Sequence, residues 1–95
     1  MYSSQFEVEI TSDPHTIAKK VDDSVFSLMN LYFDVESLKG GKKQKELSYV
    51  ITNDVGVETK LVIAITDIIT VSVSAMNEND KYNVEEYLKA NLAQP

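Results

Sequence analysis

Val57-Glu58-Thr59-Lys60-Leu61-Val62-Ile63-Ala64-Ile65-Thr66-Asp67-Ile68-Ile69-Thr70-Val71-Ser72-Val73-Ser74-Ala75 is the stretch on which the fold turns. Eleven of its nineteen residues are valine, isoleucine or threonine. Side chains branched at Cβ lose χ1 freedom in a helix and pack well on a pleated sheet, so the stretch reads as strand. A single strand of that length would be unusual. Thr66-Asp67 therefore divides it into one strand over 57–65 and another over 68–75. Side chains alternate along a strand. Val57, Thr59, Leu61, Ile63 and Ile65 then share one face, and Glu58, Lys60, Val62 and Ala64 the other.

Upstream, Asn53-Asp54-Val55-Gly56 reads as a turn, with Gly56 suited to a positive φ. Before it, Glu46–Thr52 forms another strand, with Leu47, Tyr49 and Ile51 on one face. Downstream, Met76–Lys81 reads as a polar loop. A short helix follows, capped by Asn83, with Glu86 three residues on completing a box-like pattern. Tyr82 and Tyr87 sit where a hydrophobic staple would form. Val84, Leu88 and Leu92 line the buried face of that helix.

At the other end, residues 5–11 alternate strictly. Phe6, Val8 and Ile10 fall on one side and Glu7 and Glu9 on the other, as in a half-buried strand. Ser12-Asp13-Pro14 is a helix start, since either polar residue can cap and proline suits the first turn. Ile17, Val21, Val25, Leu28, Tyr32 and Val35 recur every three or four residues, the spacing of one helix face. This pattern predicts a helix from Pro14 to near Leu38, closed by Gly40-Gly41 and about 35 Å long at 1.5 Å per residue. Residues 1–95 thus read as a single α+β domain. Its expected architecture is a two-layer sandwich of order β-α-β-β-β-α, an antiparallel sheet with one long helix packed across it.

Composition narrows the function. With 43% hydrophobic residues the chain can bury a core, which disordered chains cannot. There is no cysteine, so disulfide scaffolds, thiolate metal sites and cysteine nucleophiles are excluded. The first residues lack the basic and apolar regions of a signal peptide. The longest apolar-leaning stretch, Leu61–Met76, is too short to span a bilayer and holds Asp67 near its middle. A cytoplasmic location and no membrane partner are the expectations. The net charge is −6, and every basic residue is lysine. Without arginine the chain lacks the planar fork that reads phosphates, and its acidity repels nucleic acid. Four lysines lie between Lys39 and Lys45, a run that reads as a solvated loop.

No constellation for chemistry is present. His15 is the sole histidine, with no partner at metal-ligand spacing; Thr11, Ser12 and Asp13 are near in sequence, but the helix start already accounts for Ser12 and Asp13. Glu7/Glu9, Asp22/Asp23 and Glu85/Glu86 are paired carboxylates without the pocket that would split their pKa values. Asn77-Glu78-Asn79-Asp80 lacks the glycine and closing glutamate of a calcium loop. Gly40, Gly41 and Gly56 build no phosphate loop, and no serine sits in a nucleophile elbow. No catalytic residue, metal site or cofactor is expected.

What remains is surface. The even-numbered face of the last three strands carries Ser48, Val50, Thr52, Glu58, Lys60, Val62, Ala64, Ile68, Thr70, Ser72 and Ser74. It is small, β-branched and nearly free of charge, so a cover is expected. The C-terminal helix, a second copy of the chain or another protein would serve. Val50, Val62, Ile68 and Thr70 are the expected contact residues. The reading is a non-enzymatic cytoplasmic protein-interaction module: an assembly factor, a chaperone-like protein or an inhibitor. The alternatives are an acidic nucleic-acid mimic that blocks a DNA-binding protein, and a small-ligand binder or an enzyme with an unusual site.

Overall fold

The computed structural model describes residues 1–10, 12–38 and 46–93. In chain order they form β1 (Tyr2–Glu9), α1 (Pro14–Phe26), a 3-10 helix (Ser27–Leu31), β2 (Asp34–Leu38), β3 (Glu46–Thr52), β4 (Glu58–Ile65), β5 (Ile68–Ala75) and α2 (Glu78–Leu92). The strands make one five-stranded sheet, ordered β1-β5-β4-β3-β2. Every neighbouring pair is antiparallel. The α+β class holds, as does the expected break between β4 and β5.

The long helix does not form as expected. α1 has 13 residues, about 20 Å at the α-helical rise. After it the 3-10 helix stops at Tyr32, which takes the left-handed conformation with φ 66°. Its N–H donates to the Met29 carbonyl at 3.1 Å, closing the helical path. From there the residues alternate. Phe33 is buried, Val35 is half-buried, and Asp34 and Glu36 are exposed. Val35 pairs opposite Ile51 as part of β2. The interval of three between Tyr32 and Val35 suits a helix, but the period of two over 33–36 is the pattern that wins. The observed order is therefore β-α-β-β-β-β-α, one strand more than expected. Gly40-Gly41 and the Lys39–Lys45 run lie outside the described residues, as does Thr11.

α2 starts earlier than its sequence suggested. Asn77, not Asn83, is the cap, and its Oδ1 accepts from the Asp80 N–H at 2.7 Å. A carboxamide in that position satisfies a donor that the first turn leaves open. Tyr82 is exposed. Tyr87 instead reaches the start of the 3-10 helix, its hydroxyl 2.7 Å from the Ser27 Oγ. At the first helix Asp13 is the cap, accepting from the Thr16 N–H at 3.0 Å.

The core follows from these placements. Ile17, Val21, Val25 and Leu28 from the first helical segment meet Val84, Leu88 and Leu92 from α2 over Tyr49, Ile51, Leu61, Ile63, Ile69, Val71 and Val73. Each fully buried aliphatic side chain contributes about 1.5–3 kcal/mol before entropy is counted. β1 adds Phe6 and Val8 at the margin. The β3–β4 turn is organised by Asn53, whose Oδ1 accepts from the Val55 and Val57 amides at 3.0 and 2.9 Å. Gly56 completes it with φ 85°, where a side chain would be strained.

Candidate functional site

Both helices cover the same face of the sheet. The α2 residues Val84, Leu88 and Leu92 share one cluster with the α1 stripe and the odd-numbered residues of β3 to β5. Direct opposition in an antiparallel ladder keeps paired residues on one face. Ser4, Phe6 and Val8 pair with Val73, Val71 and Ile69, and so face the helices. Ser3, Gln5, Glu7 and Glu9 pair with Ser74, Ser72, Thr70 and Ile68, and face away. Of the three covers considered for the even-numbered face, the C-terminal helix is the one that the structure excludes. Among the described residues, no element of the chain lies over that face.

The register arranges this open face in rows across the strands. The middle row runs Gln5, Ser72, Val62, Ser48 and Leu38. On one side lie Glu7, Thr70, Ala64 and Glu46, and on the other Ser3, Ser74, Lys60, Val50 and Glu36. Adjacent strands stand about 4.8 Å apart, so Val62 sits at the centre with Val50 and Thr70 on its diagonals. Ile68 lies further out, opposite Glu9. All four residues expected to carry a contact thus occupy one surface, each half-buried between its neighbours. The centre is uncharged. Among the described residues the rim carries Glu7, Glu9, Asp34, Glu36, Glu46 and Glu58 against the single cation Lys60.

Asp34, Glu36 and Leu38 belong to this surface and escaped the sequence reading. They were assigned to a helix because Tyr32 and Val35 extend the helical stripe by one more step. The signal that locates them is the alternation beginning at Phe33.

Three polar clusters lie elsewhere. Asp80 is buried, and its Oδ2 accepts from the Asn53 and Asn77 side-chain amides at 2.8 and 2.9 Å. This network ties the β3–β4 turn to the first turn of α2. It borders a cleft of about 460 Å³ shared with Asn30, Tyr32 and Asn83. The segment holding Asp80 had been read as a loop, so sequence reasoning missed the network. Tyr49, wholly buried, donates its hydroxyl to Asp22 at 2.8 Å. Burial foremost, and then that bond, holds the phenol well above its ordinary pKa. Glu85 accepts from the Ser4 hydroxyl and pairs with Lys89 at 3.1 Å and Lys81 at 3.6 Å. The Ser4 bond, then Lys89, holds its carboxyl below the usual range.

No group of three or more histidine, cysteine or acidic side chains among the described residues could hold a metal ion. No helix among them is long and apolar enough to cross a membrane. His15 is the second residue of α1. Glu7 and Glu9 face away from the helices on β1 and border the groove that Lys89 and Leu92 line. No protein-family model and no curated protein matches the chain. Fold and surface together define a two-layer α+β domain with one covered and one open sheet face.

Proposed function

We propose that this domain is a non-enzymatic protein-interaction module of the cytoplasm, and that it works through its open sheet face. The observation that carries the reading is the placement of both helices on the opposite side. A face centred on Val62, with Val50, Thr70 and Ile68 around it, is then left to solvent across five strands. Uncovered apolar surface of this kind marks contacts. The rim supplies the partner's chemistry. Among the described residues, six carboxylates surround an uncharged centre with only Lys60 to oppose them. The complementary surface is a protein with small apolar side chains in the middle and lysine or arginine around them. Two copies set face to face would oppose like charges, so a different protein suits the face better than self-association. Assembly factors, chaperone-like proteins and inhibitors all act this way. The absence of cysteine accords with a reducing compartment.

The test compares capture of a partner from native extract by the wild-type chain and by Val62→Asp, with circular dichroism to verify that the variant folds. Loss of capture by a folded variant supports the reading. Equal capture places the contact elsewhere. Capture that collapses with salt yet ignores Val62→Asp would point to a nucleic-acid mimic instead. Light scattering of the purified chain reveals whether a second copy occupies the face.

A further inference from the structure

We infer that the free edge of β1, together with the groove between it and α2, receives an extended segment of another protein as a sixth strand. The segment would alternate apolar and basic residues. The order β1-β5-β4-β3-β2 leaves β1 paired on one side only. Its whole length, Tyr2 to Glu9, pairs with β5 without a bulge. Edge strands are ordinarily blunted by proline, lysine, bulges or brevity. β1 has none of these and carries only the charges of Glu7 and Glu9, whereas β2 at the other edge is five residues long.

The flank of β1 is shaped as well as free. Phe6 and Val8 are half-buried on the helix side, and with Glu7, Glu9, Lys89, Leu92 and Ala93 they line a groove of about 390 Å³. Lys89 lies over the Phe6 ring, 5.3 Å from its centre, and is already paired with Glu85 and Glu86. It therefore brings no free charge to the groove. A strand laid beside β1 sends alternate side chains into this groove. Its other side chains fall on the open face beside Glu7 and Glu9. Both are exposed, and neither forms an ion pair among the described residues. Apolar residues thus suit the groove side and lysine or arginine the other. The main-chain bonds supply affinity, and the two faces supply the sequence preference.

This inference does not rest on the open-face reading, and the two fail separately. The probe is an eight-residue synthetic peptide alternating lysine with leucine or valine. Its comparators carry glutamate in place of lysine, or N-methyl groups on alternate amides. Binding is followed by fluorescence anisotropy, and the site is mapped by amide chemical shifts. The lysine peptide should bind about ten-fold or more tighter than the glutamate peptide. Its shifts should fall on residues 2–9 and 85–93, and N-methylation should abolish it. The double variant Glu7→Lys/Glu9→Lys should reverse the preference, while Val62→Asp should leave it unchanged. Equal affinity for both peptides, undiminished binding of the N-methylated peptide, or shifts confined to Val50, Val62 and their neighbours would overturn the inference. So would a dimer in light scattering whose β1 amides are protected by a second β1.

Discussion

Leu61 and Val62 are neighbours in one strand, yet they belong to different environments. Leu61 is fully buried under the helices, and Val62 is half-buried on a face that nothing in the described chain covers. The same contrast separates Ile63 from Ala64, Val71 from Ser72, and Val73 from Ser74. Both faces carry β-branched residues, so composition does not tell them apart. Side-chain size does in the central strands, where Leu61, Ile63, Ile65, Ile69, Val71 and Val73 lie on the covered face and Val62, Ala64, Thr70, Ser72 and Ser74, with Ile68, on the open one. The covered face holds the fold together, and the open one is available for recognition.

The contrast can be broken first at its centre. Leu61→Ala should cost about 2–5 kcal/mol, through lost burial and the cavity left behind. Val62→Ala should cost less, about 1 kcal/mol, because that side chain is only partly buried. Urea unfolding of the two variants side by side measures the difference. Equal costs would mean that the open face contributes to the core.

The polar groups that support the covered side come next. Asp80→Ala leaves the Asn53 and Asn77 amides without their acceptor. It should cost about 2–3 kcal/mol in urea unfolding, since bonds to a charged acceptor are the strong ones. Tyr49→Phe should cost about 1.5 kcal/mol by loss of the Asp22 bond. The Tyr49 phenol has a further signature. Its folded pKa lies above the ordinary value of 10.0. The neutral form is thus favoured in the folded state, and the contribution is complete below the unfolded pKa. It is lost as pH rises from there through the folded pKa. Between about pH 9 and about pH 11 the wild type should lose more stability than Tyr49→Phe.

Two smaller effects sharpen the picture. Thr59 lies on the covered face between Ile51 and Ala75, and its buried Oγ1 has no hydrogen-bond partner among the described residues. Thr59→Val removes the hydroxyl at nearly constant shape and should raise stability by about 1 kcal/mol. Ser4→Ala, which removes a bond to the partly exposed Glu85, should cost less than about 1 kcal/mol at neutral pH. Because the Glu85 pKa is depressed in the folded state, its contribution is present above the unfolded pKa. Acidification through the folded pKa removes it, so wild type and variant should converge in urea midpoint at low pH.

Much of the fold was legible because its signals are local. β3 and β5 keep their expected limits, β4 begins one residue later at Glu58, and the turn at Gly56 has the positive φ its sequence implied. The error at 32–38 has a physical origin. Tyr32 and Val35 continue the helical spacing of Ile17 to Leu28, and no proline interrupts it. What ends the helix is a left-handed Tyr32, a conformation that costs about 1–3 kcal/mol for a non-glycine residue and is tolerated when surrounding packing imposes it. Pairing of Val35 with Ile51 and burial of Phe33 supply that packing. The start of α2 was misplaced for a different reason. Residues 76–81 read as a polar loop, whereas Asn77 accepts from the Asp80 N–H and the Asn53 and Asn77 amides donate to the Asp80 carboxylate, which starts the helix earlier.

Alternation along the chain was enough to set the parity of β1, β3 and β4, and with the simplest register for β5 it put Val50, Val62, Ile68 and Thr70 on a face opposite Leu61, Ile63 and Val71. Period-two alternation is a property of the local backbone and needs no partner to be read. Only the tertiary structure decided that α1 and α2 lie on the same side, that β1 pairs with β5 at the far edge, and that the even-numbered face stays open. Those choices join residues far apart in the chain. They are settled by which apolar stripes can be buried together, a balance that no single stretch of sequence contains.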